Sequence, residues 1–387
     1  MQSKILTYSE IDREEWGRLV RESATGTWFQ TPEAYEFFAS MPDLFQPFVI
    51  GAYSRLILRG VCVGYVTKER NPLKQFFTRR AIILGGPCIA DDATDEEVEE
   101  LMKAVRKQAS LRLSPEGKSV TVQSSSIKGC LRSSLCSLLL GRDGVGSPIY
   151  IETRNFNDYS RWKGAFEKAG FSYQLHLNFH VDCTDKDKIW ERLSENRKRQ
   201  IRKQPTQTLP IGKAYRIAQS EEEIREWYGI LENLYKTKVK TPLWPVEFFI
   251  EAYRQGVGRF MLVRHEGKII GGTLCVQMEP NPSPSLKGRD GHGAVYEWFE
   301  CGMNGEYKEQ YPSVMATYAG IQYAAEHGCA RYDMMGAGEP GIPYGVRDFK
   351  AEFGGTMVEH GRFVAIEHPL LYRIGVMGVK IMKGKNL

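Results

Sequence analysis

The chain sets out one order of elements twice, and this repetition limits its fold more than any single motif does. In the first half, Phe48–Tyr53 and Cys62–Thr67 read as paired strands around a turn, and Ala81–Leu84 as a third strand ending at Gly85-Gly86-Pro87. A helix follows to about Ser110, with Thr94 as N-cap and Glu97 completing a capping box; its acids come early and its bases late, as the helix dipole favours. Val120–Gln123 is a short strand, Asp158–Ala169 an amphipathic helix closed by Gly170, and Tyr173–Val181 a further strand. In the second half, Phe260–Val263 and Ile269–Gln277 pair around a turn and Ala294–Cys301 is a third strand. Ser313–His327 is a helix ending at Gly328, Arg331–Met335 a strand, and Val346–Phe353 a short helix ending in Gly354-Gly355. Arg161–Gly170 can be laid beside Arg347–Gly354, so the order reads as a diverged internal duplication that builds two α/β domains. The expected domains are 1–181 and 182–366, with 367–387 as a C-terminal helix packing back on the body. Glu221–Tyr235 and Pro245–Tyr253 are predicted helices, and 281–293 a polar exposed loop.

Several classes of function drop out. A hydrophobic content of 42% and a charged content of 26% in 387 residues describe a globular chain with ample core. A net charge of +5 suits handling of anionic substrates and asks for no DNA. The N-terminus lacks an apolar signal core, and no stretch has the roughly eighteen apolar residues of a membrane span. The eight cysteines are scattered without C-x-x-C, as expected of reduced buried thiols. The expected location is the cytoplasm, including the inner face of the membrane. The tail Pro369–Lys383 reads as a packed closing helix in preference to a membrane-surface one, because few cations accompany it. Neither a G-x-S-x-G elbow nor a phosphate-binding G-x-x-x-x-G-K-[ST] loop is present. Gly336-x-Gly338-x-x-Gly341 matches a dinucleotide fingerprint, but Pro340 and Pro343 deny it the helix that fingerprint needs. His176 and His180 share a strand face, where polar surface positions outweigh a metal pair. No metal and no cofactor are expected.

Chemistry concentrates in Arg331–Gly355. A strand ends in Asp333, a loop of Gly and Pro follows, and a turn of helix carries Arg347 and Lys350. Fixed cations beside a strand end suit a ligand that is, or becomes, an anion. Lys350 is the candidate for an oxyanion, Asp333 a candidate to orient an amine or to anchor the loop, and Tyr344 and Arg347 are second-line contacts. Asn196–Lys203 is the densest positive run, with Arg199 and Arg202 on one side of a helix, where they would hold phosphates or form a solvated face. Three alternating cations end at Lys240, just before Trp244. Gln30 and Trp298 complete the candidate substrate contacts.

The order Phe29-Gln30-Thr31-Pro32, then Ala165-Phe-Glu-Lys-Ala-Gly-Phe171, Asn196-Arg-x-Arg-x-Ile-Arg202, Tyr332-Asp333 and Phe349-Lys350-x-x-Phe353-Gly354 resembles the Fem-type (FemABX) aminoacyltransferases from about Trp28 to Glu359. That resemblance implies two tandem domains like Gcn5-related N-acyltransferases, each a mixed sheet flanked by helices. It implies transfer of an aminoacyl group from aminoacyl-tRNA to an amine of a lipid- or nucleotide-linked peptidoglycan precursor, with room for a peripheral membrane contact. It puts Lys350 at the reaction centre and Lys240 near the precursor's phosphates. The long heptad-patterned hairpin of some members is missing from the sequence. The rival expectations are an N-acyltransferase using acyl-CoA or acyl carrier protein, and a non-catalytic RNA- or glycan-binding protein using Arg197–Lys203.

Overall fold

Alternating apolar strands and glycine-closed helices do assemble twice. The computed structural model describes residues 4–69, 75, 78–110, 147–203, 215–280 and 293–382; the strand expected at 120–123 lies outside them. Two compact units result, one of residues 1–174 with 361–387 and the other of residues 175–360.

The first unit is built on strands β1 (Lys4–Thr7), β2 (Phe45–Ser54), β3 (Ile57–Thr67), β4 (Arg80–Gly85), β5 (Cys88–Ile89), β6 (Tyr150–Asn155) and β7 (Ser172–Gln174). Its helices are α1 (Arg13–Glu22), α2 (Pro32–Ala39), α3 (Asp95–Ser110) and α4 (Lys163–Lys168). The capping box at α3 forms as expected: Thr94 N–H donates to Glu97 Oε2 at 3.0 Å and Glu97 N–H to Thr94 Oγ1 at 3.3 Å. Val98, Leu101, Met102 and Val105 bury the inner face of α3 against the sheet, beside Phe166 of α4.

The second unit holds β8 (Leu177–Asp182), β9 (Arg216–Ile217), β10 (Gly258–His265), β11 (Lys268–Met278), β12 (Ala294–Gly302), β13 (Arg331–Gly336) and β14 (Thr356–Glu359). Helices α5 (Lys186–Arg192), α6 (Glu195–Arg202), α7 (Glu221–Leu234), α8 (Val246–Arg254), α9 (Pro312–Glu326) and α10 (Gly345–Ala351) accompany it. Helix α9 is apolar around most of its circumference, and most of its residues are buried.

Strand β15 (Arg362–Ile366) and helix α11 (Pro369–Met382) then return to the first unit. The sheet orders are β1-β2-β3-β4-β6-β15-β7, with β5 on β3, and β9-β10-β11-β12-β13-β8-β14. The two orders correspond strand for strand. Each sheet inserts one strand beside its edge, β15 in the first and β8 in the second, and each arrives from the other half of the chain.

Two expectations change here. The single strand expected over 173–181 is two, β7 and β8, and Leu175 and His176 are the step between sheets. Strand 362–366, which the sequence assigned to the second domain, pairs with β6 and β7 in the first sheet. The six cysteines among the described residues are free and buried.

Candidate active site

The feature that opens a site is a change in strand pairing. Strands β12 and β13 run parallel and pair only at Ala294–Arg331, Val295–Tyr332 and Tyr296–Asp333, although both continue. On its other side β13 pairs Asp333 with His180 and Gly336 with Asn178, so Met334 and Met335 bulge between them. Met335 takes a left-handed conformation, φ 57°, and Asp333 Oδ1 pins it by accepting from Met335 N–H at 2.7 Å.

Beyond the last pair, the carbonyls of β13 need other donors. Lys350, on α10, supplies them. Its Nζ donates to Gly336 O at 2.8 Å and to Met334 O, and the residue is only 8% exposed. Burial pushes the ammonium below the ordinary lysine range, while Glu297, Asp333 and Glu300 pull it back up. Asp333 is fully buried. Burial would raise its carboxyl, but His180, whose Nε2 lies 3.2 Å from Oδ2, together with Arg331 and the Met335 N–H holds the group low.

Two further acids, Glu297 and Glu300, were not legible in the sequence. Opposite Leu274 and Cys275 of β11 lie Phe299 and Glu297, so Trp298 is an extra residue in β12. This bulge puts Glu297 and Glu300 on one face of the strand, where Glu297 accepts from Tyr332 OH at 2.8 Å. Thr317 and Ser313, four apart on α9, approach Glu297 and Glu300 respectively. Burial raises the Glu297 carboxyl, with Lys350 opposing. Glu300 is pushed up to about 8 by burial and then by Glu297. Part of Glu300 remains exposed, yet its Oε1 is shielded and makes no hydrogen bond.

Helix α10 has seven residues, too few to hold its own shape in water. The start of α6 holds it. Ser194 caps α6 by accepting from Arg197 N–H at 3.1 Å, and Ser194 N–H donates to Glu352 O at 2.9 Å. Asn196 Nδ2 reaches Glu352 Oε2 at 2.9 Å. Arg197 is buried, with its guanidinium 4.6 Å from the Phe349 ring centre and 5.0 Å from that of Phe353. It also donates to Phe349 O at 3.2 Å and to Gln200 Oε1 at 2.7 Å. Of the basic run, the residue facing inward is thus Arg197. Arg199 is exposed and bonded to Asn196 Oδ1 at 2.8 Å, and Arg202 is exposed over the Trp190 ring at 5.2 Å.

The remaining candidates divide. Arg347 donates to Ala337 O and Ile342 O at 3.0 Å each, and to Glu339 O, so it ties the Gly-Pro loop shut. Tyr344, the N-cap residue of α10, is 42% exposed. Lys240 is exposed and left-handed, φ 54°, at the end of a π-helical turn (Tyr235–Val239). Tyr235 faces Phe299, and Trp298 packs edge-on to Phe248 at 5.2 Å. Gln30 is corrected: it is fully buried and its amide is consumed by backbone. Its Nε2 donates to Val63 O at 3.0 Å and Leu84 O at 2.9 Å, and its Oε1 accepts from Val63 N–H at 2.7 Å. Among the described residues no group of His, Cys, Asp and Glu is arranged to hold a metal ion.

Residues 292–377, which include Glu297, Glu300, Asp333 and Lys350, match the FemAB family model. No curated protein matches the chain. The structure is similar to the crystal structure of FemX at a TM-score of 0.60, with 12% identity over 96% of this chain and 99% of that one. It is also similar, at a TM-score of 0.50 and 10% identity over 94% and 98%, to a tandem GNAT protein from the clavulanic acid biosynthesis pathway, solved without AcCoA. Around the opened strands the chain is thus similar to the FemAB family, and its fold is similar to those of FemX and of a tandem GNAT protein.

Proposed function

We propose that the protein transfers an aminoacyl group, carried by aminoacyl-tRNA, to an amine of a peptidoglycan precursor peptide, with Lys350 as the catalytic cation. The observation that carries this reading is the buried ammonium at the point where β12 and β13 part. An ester donor needs little help to expel its alcohol. What slows its reaction with an amine is alignment and the charge that grows on the carbonyl oxygen. Two of the three Nζ–H bonds of Lys350 go to backbone carbonyls, which leaves one for an oxyanion. The amine attacks the ester carbonyl, the tetrahedral oxyanion collapses, the tRNA hydroxyl leaves, and the amine's proton passes to solvent or to a carboxylate. Glu297 and Glu300 share one strand face near Lys350; Glu300, pushed up to about 8, holds a proton near neutral pH that it can exchange with the aminoacyl amine. Lys240, exposed at the end of the π-helical turn, is assigned to the precursor's phosphates.

The test offers charged tRNA, acyl-CoA and acyl carrier protein separately, each with lipid-linked and nucleotide-linked muropeptides. Transfer is expected from charged tRNA alone. Lys350→Ala is expected to stay folded and to lose about a hundredfold or more in rate, roughly 3 kcal/mol. Transfer from acyl-CoA or acyl carrier protein would replace the donor, and near wild-type rates in the variant would remove Lys350 from the chemistry.

A further inference from the structure

Helix α11 was expected to close over the body of the protein. Its inner side does touch the first unit, where the Tyr372 ring meets Tyr150 edge-on at 5.3 Å. The outer side also carries large apolar residues, with the exposed Arg373 among them. Leu370, Ile374 and Met377 are 72%, 44% and 48% exposed. Their spacing of four and then three residues places them in one stripe along the helix. Large side chains in a continuous exposed stripe are uncommon on a monomeric surface and mark a place of contact.

Charge identifies what the stripe meets. The sequence from His368 to Leu387 contains no acid and four cations, Arg373, Lys380, Lys383 and Lys385. Beside the start of the helix, Lys103, Arg106 and Lys107 of α3 line an open cleft with Glu367; Glu367 pairs with Arg106 at 2.8 Å and Glu99 with Lys103. A second copy of this chain laid along the stripe would bring cations against cations. At about 1.5 Å per residue, the fourteen residues of α11 cover roughly 21 Å, short of the roughly 30 Å of a bilayer core. No helix among the described residues is long and apolar enough to cross a membrane.

We propose that the outer stripe of α11 lies on an anionic lipid surface, with Leu370, Ile374 and Met377 among the acyl chains and Arg373 at the headgroups. This docking does not depend on which acyl donor the second unit uses.

Sedimentation of the full chain with vesicles tests it. Vesicles of phosphatidylcholine with about a third phosphatidylglycerol are expected to carry the protein down at low salt, and release is expected as salt rises. Phosphatidylcholine alone should bind at least tenfold more weakly. Ile374→Glu and Met377→Glu, made at exposed positions, should lose the binding while melting temperature and transfer to a water-soluble acceptor stay as in wild type. Equal binding to neutral vesicles, binding retained in both variants, or no binding to either vesicle would overturn the proposal. So would a dimer in sedimentation velocity that Ile374→Glu dissociates while vesicles go unbound, since the stripe would then belong to a second copy.

Discussion

The two sheets share one order of strands and differ where a helix crosses between parallel neighbours. In the first, β4 and β6 stay paired over six residues, from Arg80–Tyr150 to Gly85–Asn155. In the second, the corresponding β12 and β13 separate after three. The short helices that follow carry different side chains. By their closing glycines, Gly170 and Gly354, Phe166 stands where Lys350 stands. Phe166 is fully buried and stacks on Phe363 with ring centres 4.0 Å apart, so that place in the first unit is filled by hydrocarbon. Buried carboxylates follow the same division. Burial alone would raise Glu152, but Arg154 and Arg362 outweigh it and hold the group at about 2. Glu300 has no such pair and goes to about 8. In the first unit the place of Lys350 is filled by a ring and the buried Glu152 is paired with arginines. The other keeps an open strand end, a buried cation and under-compensated acids, as a site that binds changing charge requires.

Arg197 gives the largest effect after Lys350 itself. If the open unit works because α10 is clamped, Arg197→Met should keep contact with the Phe349 and Phe353 rings while losing the bonds to Phe349 O and Gln200. The expected loss in kcat is about tenfold or more, with KM little changed, because small misplacements of a catalytic group are costly. Arg197→Lys should not rescue it, since a lysine cannot stack and donate along two directions at once. A change confined to KM would make Arg197 a substrate ligand and break the clamp account.

Glu300 sharpens the contrast in compensation. A folded-state pKa of about 8 lies above the ordinary glutamate value, so the folded protein keeps a proton that the unfolded chain has released. That stability is whole below the ordinary value and is lost as pH rises through about 8. Melting temperature should therefore fall by several degrees between pH 5 and pH 8.5, and Glu300→Gln should flatten much of that slope. An unchanged slope in the variant would mean that Glu300 ionises normally.

The sequence made the repeated order legible because glycine-closed helices and alternating strands are local signals. Thr94–Glu97 and Gly354 could be placed from a few neighbours each. The exchange of β8 and β15 was not legible, because Ser172–Asp182 alternates as one strand would and only long-range pairing breaks it at Leu175. Lys350 and Asp333 stood out through the loop between them. Glu297 and Glu300 did not, since three-residue spacing puts strand side chains on opposite faces until a bulge at Trp298 reverses that. Arg197 was lost in a run of like charges. The available signal was Ser194, a cap that fixes which arginine turns inward.

Gln30 gives the smallest expected effect on transfer and the cleanest test of the closed unit. Its amide bridges Val63 and Leu84 where β3 and β4 make no direct bond between them, and it has nothing left to offer a ligand. Gln30→Leu keeps most of the volume but leaves a buried N–H and two carbonyls without partners, at about 1–3 kcal/mol for each group so stranded. The variant should melt lower, yet its transfer rate per folded molecule, measured well below that melting point, should match wild type. A large fall in kcat/KM at full folding would show that the first unit also meets substrate, and the division between a closed sheet and an open one would no longer hold.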